Sequence, residues 1–290
     1  MSTVVIANQR ISTGFIVVRH FFYAFGVALH SKIKGVTKPG INSIILSTLV
    51  FCYVQMMVPA VFSQGWSEVA RAADGVYAKP YRFVGKIYTF WRNGAVNQAT
   101  GFLVGRSHVM TAGHVLYNER RESPYMVMFT PAEYNGAAPM GSANATSWVV
   151  AQPFLNGNKF YDYAVIRLNR PLGDRTLGWF AMEDWAQNSQ YQGEVCGYSA
   201  QLNSAKSQFK VNGTAFGSLD WDPRNRRGLH WSINNVPWMG GVSGAPLFLN
   251  RNGSYRVVGI YTGAAPNGIG GVKLLREVRT ELQSWINNNP

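Results

Sequence analysis

Cysteine is scarce. The chain of 290 residues has two, Cys52 and Cys196, so a single thiol remains once the first 63 residues are set aside. A disulfide framework inside the remaining domain is therefore excluded. Charge is scarce too, at 14% of residues against 47% hydrophobic, which excludes a disordered or solvating chain. Acids are missing altogether from the start: residues 1–63 hold Arg10, Arg19, Lys32, Lys34 and Lys38, and the first acid is Glu68. The whole chain carries +13, and residues 64–290 carry 22 bases against 14 acids, or +8. That balance favours non-specific attraction to anionic surfaces without naming a partner. The densest basic run, Arg224-Asn225-Arg226-Arg227, reads as a solvated loop. There is no internal repeat and no low-complexity stretch.

One long apolar run is present. Ile44–Phe62 carries no charge, follows Lys32, Lys34 and Lys38, and closes with Ala60 and Ser63. A positive region, an apolar run and small residues at the exit are the parts of a secretory signal, here cut near Ser63-Gln64. A retained anchor or a buried core helix are the other readings of the same run. Residues 1–63 are thus expected to be an export segment and 64–75 a pro-segment or N-terminal arm. The 227 residues that follow Ser63 (290 minus 63) suffice for a core without disulfides. Cys196, in Glu194-Val195-Cys196-Gly197-Tyr198, reads as a small buried apolar residue.

Glycine and aromatic residues are plentiful, with 30 Gly, 14 Tyr and 16 Phe. Asn-Gly pairs occur at 93–94, 135–136, 156–157, 212–213, 252–253 and 267–268. Asn-Gly supplies the positive φ angles of two-residue hairpin turns, which predicts an antiparallel β protein. Short candidate strands are Phe102–Val104, Val109–Thr111, Tyr125–Phe129, Trp148–Ala151 and Tyr163–Leu168. Glu194–Tyr198, Gln208–Val211, Leu229–Ile233, Leu247–Leu249 and Tyr255–Tyr261 follow. Near the end Leu274, Val278, Leu282 and Ile286 recur every four residues, which predicts one amphipathic helix.

Three short pieces carry chemistry. His114 follows an apolar stretch that ends in small residues, Val109-Met110-Thr111-Ala112-Gly113; alone it is read as a structural residue or as a held, reachable base. Asp162 opens the apolar run Tyr163–Leu168, either as a turn cap or as a buried acid in need of a donor. Ser243 stands in Gly240-Gly241-Val242-Ser243-Gly244. Glycines around a serine make a plain turn, or expose its hydroxyl and let backbone N–H groups converge where an oxyanion would form.

In this order and spacing the three pieces resemble the trypsin-like serine peptidases. Thr111–Val115 is similar to that family's Thr-Ala-Ala-His-Cys, Asp162–Leu168 to its Asp-Ile-Ala-Leu-Leu-Arg-Leu, and Gly241–Pro246 to its Gly-Asp-Ser-Gly-Gly-Pro. Pro80-Tyr81-Arg82, Thr111-Ala112-Gly113-His114, Tyr161-Asp162-Tyr163 and Gly197-Tyr198 resemble the bacterial glutamyl-endopeptidase-like branch. The resemblance implies an all-β fold: two antiparallel six-stranded barrels of chymotrypsin type, 76–180 and 181–290, with a C-terminal helix. It implies a secreted serine endopeptidase, extracellular or periplasmic, with His114, Asp162 and Ser243 as a triad and the N–H groups of Gly241 and Ser243 as an oxyanion hole. No cofactor and no metal are expected, since His108 and His230 have no ligand-like spacing with any Cys, Asp or Glu. The expected partners are protein or peptide substrates and no nucleic acid, with a membrane touched only through residues 44–62 if the signal is retained, and the protein a monomer. The alternative is a catalytically silent member of the same fold that binds anionic partners.

Departures from the family pattern carry information. Val115 stands where many relatives have Cys. Val242 replaces an Asp that, in trypsin-like zymogens, pairs with a freed N-terminus, so activation by that ion pair is excluded. The resemblance assigns Trp238, Tyr261, Thr262 and Gly263 to the pocket for the side chain before the scissile bond. Glutamate-specific relatives have a hydroxyl residue and a histidine where Pro237-Trp238-Met239 and Tyr261 stand here. An uncharged, small or medium side chain is therefore expected, unless Arg256 or Lys273 reaches in.

Overall fold

The computed structural model describes residues 65–71, 74–174, 177–186, 189–217 and 229–288. The apolar run 44–62, with Cys52, and the basic run 224–227 lie outside them. Among the described residues, no helix is long and apolar enough to cross a membrane.

The first half folds as six strands: β2 (Val84–Phe90), β3 (Val96–Leu103), β4 (His108–Thr111), β5 (Met126–Pro131), β6 (Ala143–Val150) and β7 (Ala164–Leu168), after a short β1 (Ser67–Glu68). β2 to β7 close into a barrel in the order β2-β3-β4-β7-β6-β5. After a two-residue β8 (Ala181–Met182) come β9 (Gln190–Tyr198), β10 (Gln208–Gly217), β11 (His230–Asn234), β12 (Pro246–Arg251), β13 (Ser254–Ala265) and β14 (Gly268–Lys273). These run β10-β11-β14-β13-β12-β9, and pairing of β9 with β10 closes the second ring. β1 adds antiparallel to β10, and β8 lies parallel to β13. Closure leaves neither barrel an open edge of unpaired backbone.

Asn-Gly chemistry makes some of the turns. Asn252 and Gly253 have φ of 53° and 83° between paired Arg251 and Ser254, and Asn135-Gly136 has 51° and 79° between paired Tyr134 and Ala137. Positive φ at both central residues is the hairpin geometry whose twist suits the flanking strands. Asn212-Gly213 departs from the turn reading: it lies inside β10. There a Cβ on Gly213 would come within 2.5 Å of Ile233, so the glycine serves a close approach. The glycine-rich β14 and the start of the first barrel at Val84, after a 3-10 turn at Tyr81–Phe83, lie outside or at the edge of the candidate strands.

The C-terminal helix α3 spans Arg276–Asn288, preceded by two one-turn helices, α1 (Gly113–Leu116) and α2 (Gln152–Leu155). It buries Val278 and Leu282, with Leu275, Trp285 and Ile286 packed beside them. Near the start of the described residues, Trp66 is buried among residues of the second barrel and donates its indole N–H to the Pro237 carbonyl at 3.0 Å.

A buried polar cluster joins the two barrels. Lys86 on β2 pairs with Glu133 at 2.5 Å, both side chains 5% exposed. The Tyr88 hydroxyl reaches both Glu133 carboxylate oxygens at 2.8 Å, and Tyr198 on β9 donates to the Glu133 carbonyl at 2.9 Å. Gln208 on β10 donates its amide to the carbonyl of Val84 at 2.9 Å and to the Tyr198 hydroxyl at 3.1 Å. Breaking a buried pair by removing one partner strands the other charge, which costs about 3–5 kcal/mol. Lys86→Met is therefore expected to lower the unfolding free energy by about that amount in urea titration, and Glu133→Gln in the same chain to restore most of it. A single variant that loses under about 1 kcal/mol, the scale of an exposed pair, would show that the ion pair holds nothing.

Candidate active site

β4 ends at Thr111, and the one-turn helix α1 begins two residues later and carries His114. Asp162 follows a 3-10 turn, Lys159–Tyr161, and immediately precedes Tyr163 and β7. Because β4 and β7 are paired, with Thr111 opposite Ala164, the two side chains arrive at the same end of the barrel. Asp162 Oδ2 lies 2.7 Å from His114 Nδ1, and Oδ1 accepts the backbone N–H of His114 at 2.8 Å. Both carboxylate oxygens thus hold one residue. A carboxylate can only accept from the ring, so Nδ1 carries the hydrogen and the other ring nitrogen keeps its lone pair.

The electrostatics follow from that geometry. Burial favours neutral imidazole, but the charge of Asp162 and its hydrogen bond outweigh it, and the His114 pKa is raised above the ordinary value of 6.5. The His114 side chain keeps 38% exposure against 10% for Asp162, so the acid is sheltered while the ring stays reachable. A raised folded-state pKa stabilises the fold below the ordinary imidazole value, and that contribution is lost as pH rises through the raised one.

Ser243 comes from the second barrel, on the segment between β11 and β12. Gly241 and Gly244 both have φ of +86°. A Cβ at Gly241 would lie 2.7 Å from the Tyr198 carbonyl, and one at Gly244 would run into Thr111 Oγ1 and the Thr100 carbonyl. Both sites admit only glycine: at Gly244 this lets the serine loop lie against β3 and β4 of the other barrel, and at Gly241 against the end of β9. Thr100 on β3 donates its N–H to the Ser243 carbonyl at 2.9 Å, and Gly244 donates to the Tyr261 carbonyl at 2.8 Å. Val242 is buried in the same apolar cluster as Trp66, Met239 and Ala245. His114, Gly241 and Ser243 line one cleft of about 600 Å³, whose far wall includes Trp91, Val96 and Gln98. A second hollow of about 660 Å³ also touches His114 and Asp162 and is lined by Tyr117, Phe154, Leu155 and Thr262.

The four residues assigned to the specificity pocket do not share one character. Trp238 is 49% exposed, and its indole lies 3.5 Å from where a Cβ on Gly263 would be. Thr262 and Gly263 are half-buried beside it. Tyr261 is different: it has 0% exposure, and its hydroxyl accepts from the Met239 N–H at 3.3 Å and donates to the Met239 carbonyl at 3.4 Å. It is an interior support of the Met239–Gly241 segment and offers no surface of its own. Arg256 pairs with Glu183 at 3.7 Å and the Lys273 ammonium lies over Trp185, so both cations are engaged elsewhere. Cys196 is buried and its thiol pKa is pushed up by that burial, as suits an inert residue.

One important residue escapes the sequence reading. Thr100 sits in the buried stretch Ala99–Leu103 with no motif around it. The only signal is a hydroxyl within an otherwise apolar run, beside Gly101.

The raised imidazole pKa can be measured directly. NMR titration of the His114 ring should give a value above 6.5. In Asp162→Asn the raising charge is gone while burial remains, so the value should fall to or below the ordinary one. A value in the unaltered protein at or below that of Asp162→Asn would contradict the coupling.

Comparisons with known proteins agree with this architecture. The chain is 26% identical over 225 residues to the glutamyl endopeptidase of Bacillus licheniformis, covering 73% of this chain and 65% of that one. It is 24% identical over 192 residues to the extracellular metalloprotease of Bacillus subtilis, covering 65% of this chain and 58% of that one. The chain thus spans under two thirds of the length of either relative. Among solved structures, a Glu endopeptidase superposes with a TM-score of 0.61 at 22% identity, over 76% of this chain and 96% of that one, which is a likeness of fold. The Trypsin family model matches residues 88–286, well over half of the sequence, and the chain belongs to the trypsin family.

Proposed function

We propose that this chain is a secreted serine endopeptidase that cleaves protein or peptide substrates through an acyl-enzyme. The observation that carries the reading is the pair of hydrogen bonds that His114 donates to Asp162, from Nδ1 at 2.7 Å and from its backbone N–H at 2.8 Å, in a residue that shares a cleft with Ser243. His114, held in the tautomer with a free ring lone pair, takes the proton from the Ser243 hydroxyl as that oxygen attacks the peptide carbonyl. The imidazolium so formed is stabilised by Asp162 and passes its proton to the leaving amine. Water then repeats the sequence on the acyl-enzyme and frees the acid product. The N–H groups of Gly241 and Ser243 bind the oxyanion, at about 3 kcal/mol per donor.

One relative is named as a metalloprotease. Among the described residues, no three His, Cys, Asp or Glu side chains are grouped as metal ligands, so the donor set does not fit a metal and no step is routed through one. Export rests on the signal-like run Ile44–Phe62. For the residue before the scissile bond, Trp238, Thr262 and Gly263 offer apolar and neutral surface backed by the buried Tyr261. Charged side chains would shed water there without a partner, so small or medium uncharged residues are favoured.

Three measurements test these readings. A fluorophosphonate should label the protein, and Ser243→Ala should abolish the label. Ser243→Ala and His114→Ala should each cost several orders of magnitude in kcat, and the double variant little more, because the residues act as one unit. Additive losses, or a label that survives Ser243→Ala, would overturn the mechanism. Cleavage of a mixed peptide library should show uncharged residues before the cut; dominance of Glu or Asp would overturn the pocket assignment and leave the triad standing.

A further inference from the structure

Thr100 belongs to the first barrel, yet its polar atoms reach both halves of the site. It is fully buried. Its N–H donates to the Ser243 carbonyl at 2.9 Å, and its own carbonyl accepts the Thr111 hydroxyl at 2.8 Å, three residues before His114. Its hydroxyl accepts the N–H of Tyr198 at 2.9 Å and donates to the Gly241 carbonyl at 2.9 Å. The direction of these last two bonds is forced, because a peptide N–H can only donate and a carbonyl can only accept. The single hydroxyl proton is therefore committed to Gly241.

The location makes that commitment matter. The Ser243 N–H lies between two carbonyls, Gly241 and Ser243, and Thr100 holds both. Gly241 has φ of +86°, and glycine is the residue whose backbone turns over most cheaply. A loop that must aim two N–H groups at one point is built on its most permissive residue, and the Thr100 hydroxyl on the Gly241 carbonyl, together with the Ala200 N–H on the Gly240 carbonyl at 2.8 Å, removes that freedom.

We infer that Thr100 is a positioning residue, which locks the Gly241–Ser243 backbone into its oxyanion-binding form and ties it to the strand end that presents His114. The inference rests on the serine-peptidase reading of the site. The bond from Thr111 uses the Thr100 backbone carbonyl, so removing the hydroxyl leaves the His114 side of the link intact and releases the Gly241 carbonyl and the Tyr198 N–H on the other side.

The test compares the unaltered chain with Thr100→Val and Thr100→Ser, reading the rate of Ser243 phosphonylation by a fluorophosphonate across pH, together with thermal unfolding. The phosphonyl oxygen occupies the oxyanion position, so this rate reports the hole without a known substrate. Loss of a direct oxyanion donor slows catalysis by roughly 10²–10³-fold, and a residue acting through such donors should give about 10- to 100-fold. Thr100→Val should slow labelling by that factor while still folded, with the apparent pKa of the rate unchanged, and Thr100→Ser should stay within about threefold of the unaltered rate. If Thr100→Val does not fold, Thr100→Ala against Thr100→Ser, below both unfolding temperatures, makes the same comparison. A folded Val or Ala variant that labels within about threefold of the unaltered rate would overturn the inference, as would equal slowing in the Ser variant. An unaltered chain that takes no label overturns the peptidase reading and this inference with it, which separates the two failures.

Discussion

Across the seam between the two barrels, buried polar bonds run beside an apolar cluster drawn from both, and the candidate active site is assembled there. Gly244 lies so close to Thr111 and Thr100 that no side chain fits. Thr100 answers the carbonyls of Gly241 and Ser243, while Gln208, Tyr198, Glu133 and Lys86 extend the same seam away from the cleft. Each neutral group among these would cost about 1–3 kcal/mol if left buried without its partner, and either charge of the Lys86–Glu133 pair more. Sliding one barrel against the other would break several such bonds at once, so the relative placement of His114 and Ser243 is tightly specified. That is the condition under which fixed dipoles stabilise a transition state without reorganising.

Order in the serine loop comes from apolar packing rather than from a charge beside Ser243. Val242 is buried with Met239, Ala245 and Trp66, and the Trp66 indole holds the Pro237 carbonyl. Tyr261 holds Met239 from within. The loop is thus supported at 237, 239 and 242 before it reaches Ser243. On the opposite side of the cleft His114 is coupled electrostatically to Asp162. The effect is to make the imidazole a better base while the carboxylate stays sheltered from water.

Much of this was legible in the sequence. Turn chemistry and short apolar runs pointed to an antiparallel β protein, the family resemblance implied its two barrels, and the helix over Arg276–Asn288 followed from its four-residue period. The meeting of His114 with Asp162 was legible only through the order and spacing of three motifs, since nothing local in either segment decides it. Other features could not be read because they depend on partners distant in the chain. Gly213 carries a turn-like Asn-Gly pair but is committed to packing against Ile233. Tyr261 looks available as a pocket wall, yet its hydroxyl finds Met239, 22 residues away, and turns it inward. Thr100 is joined to Gly241 across 141 residues, a pairing that exists only once both barrels have closed.

The central claim is that a first-barrel hydroxyl fixes a second-barrel oxyanion hole. A crystal structure of the Ser243 phosphonyl adduct tests it most directly. The account predicts a phosphonyl oxygen about 2.7–3.1 Å from the N–H groups of both Gly241 and Ser243, with Thr100 Oγ1 still on the Gly241 carbonyl. A phosphonyl oxygen turned to solvent, or a Gly241 peptide flipped away from Thr100 while the hole is occupied, would contradict it.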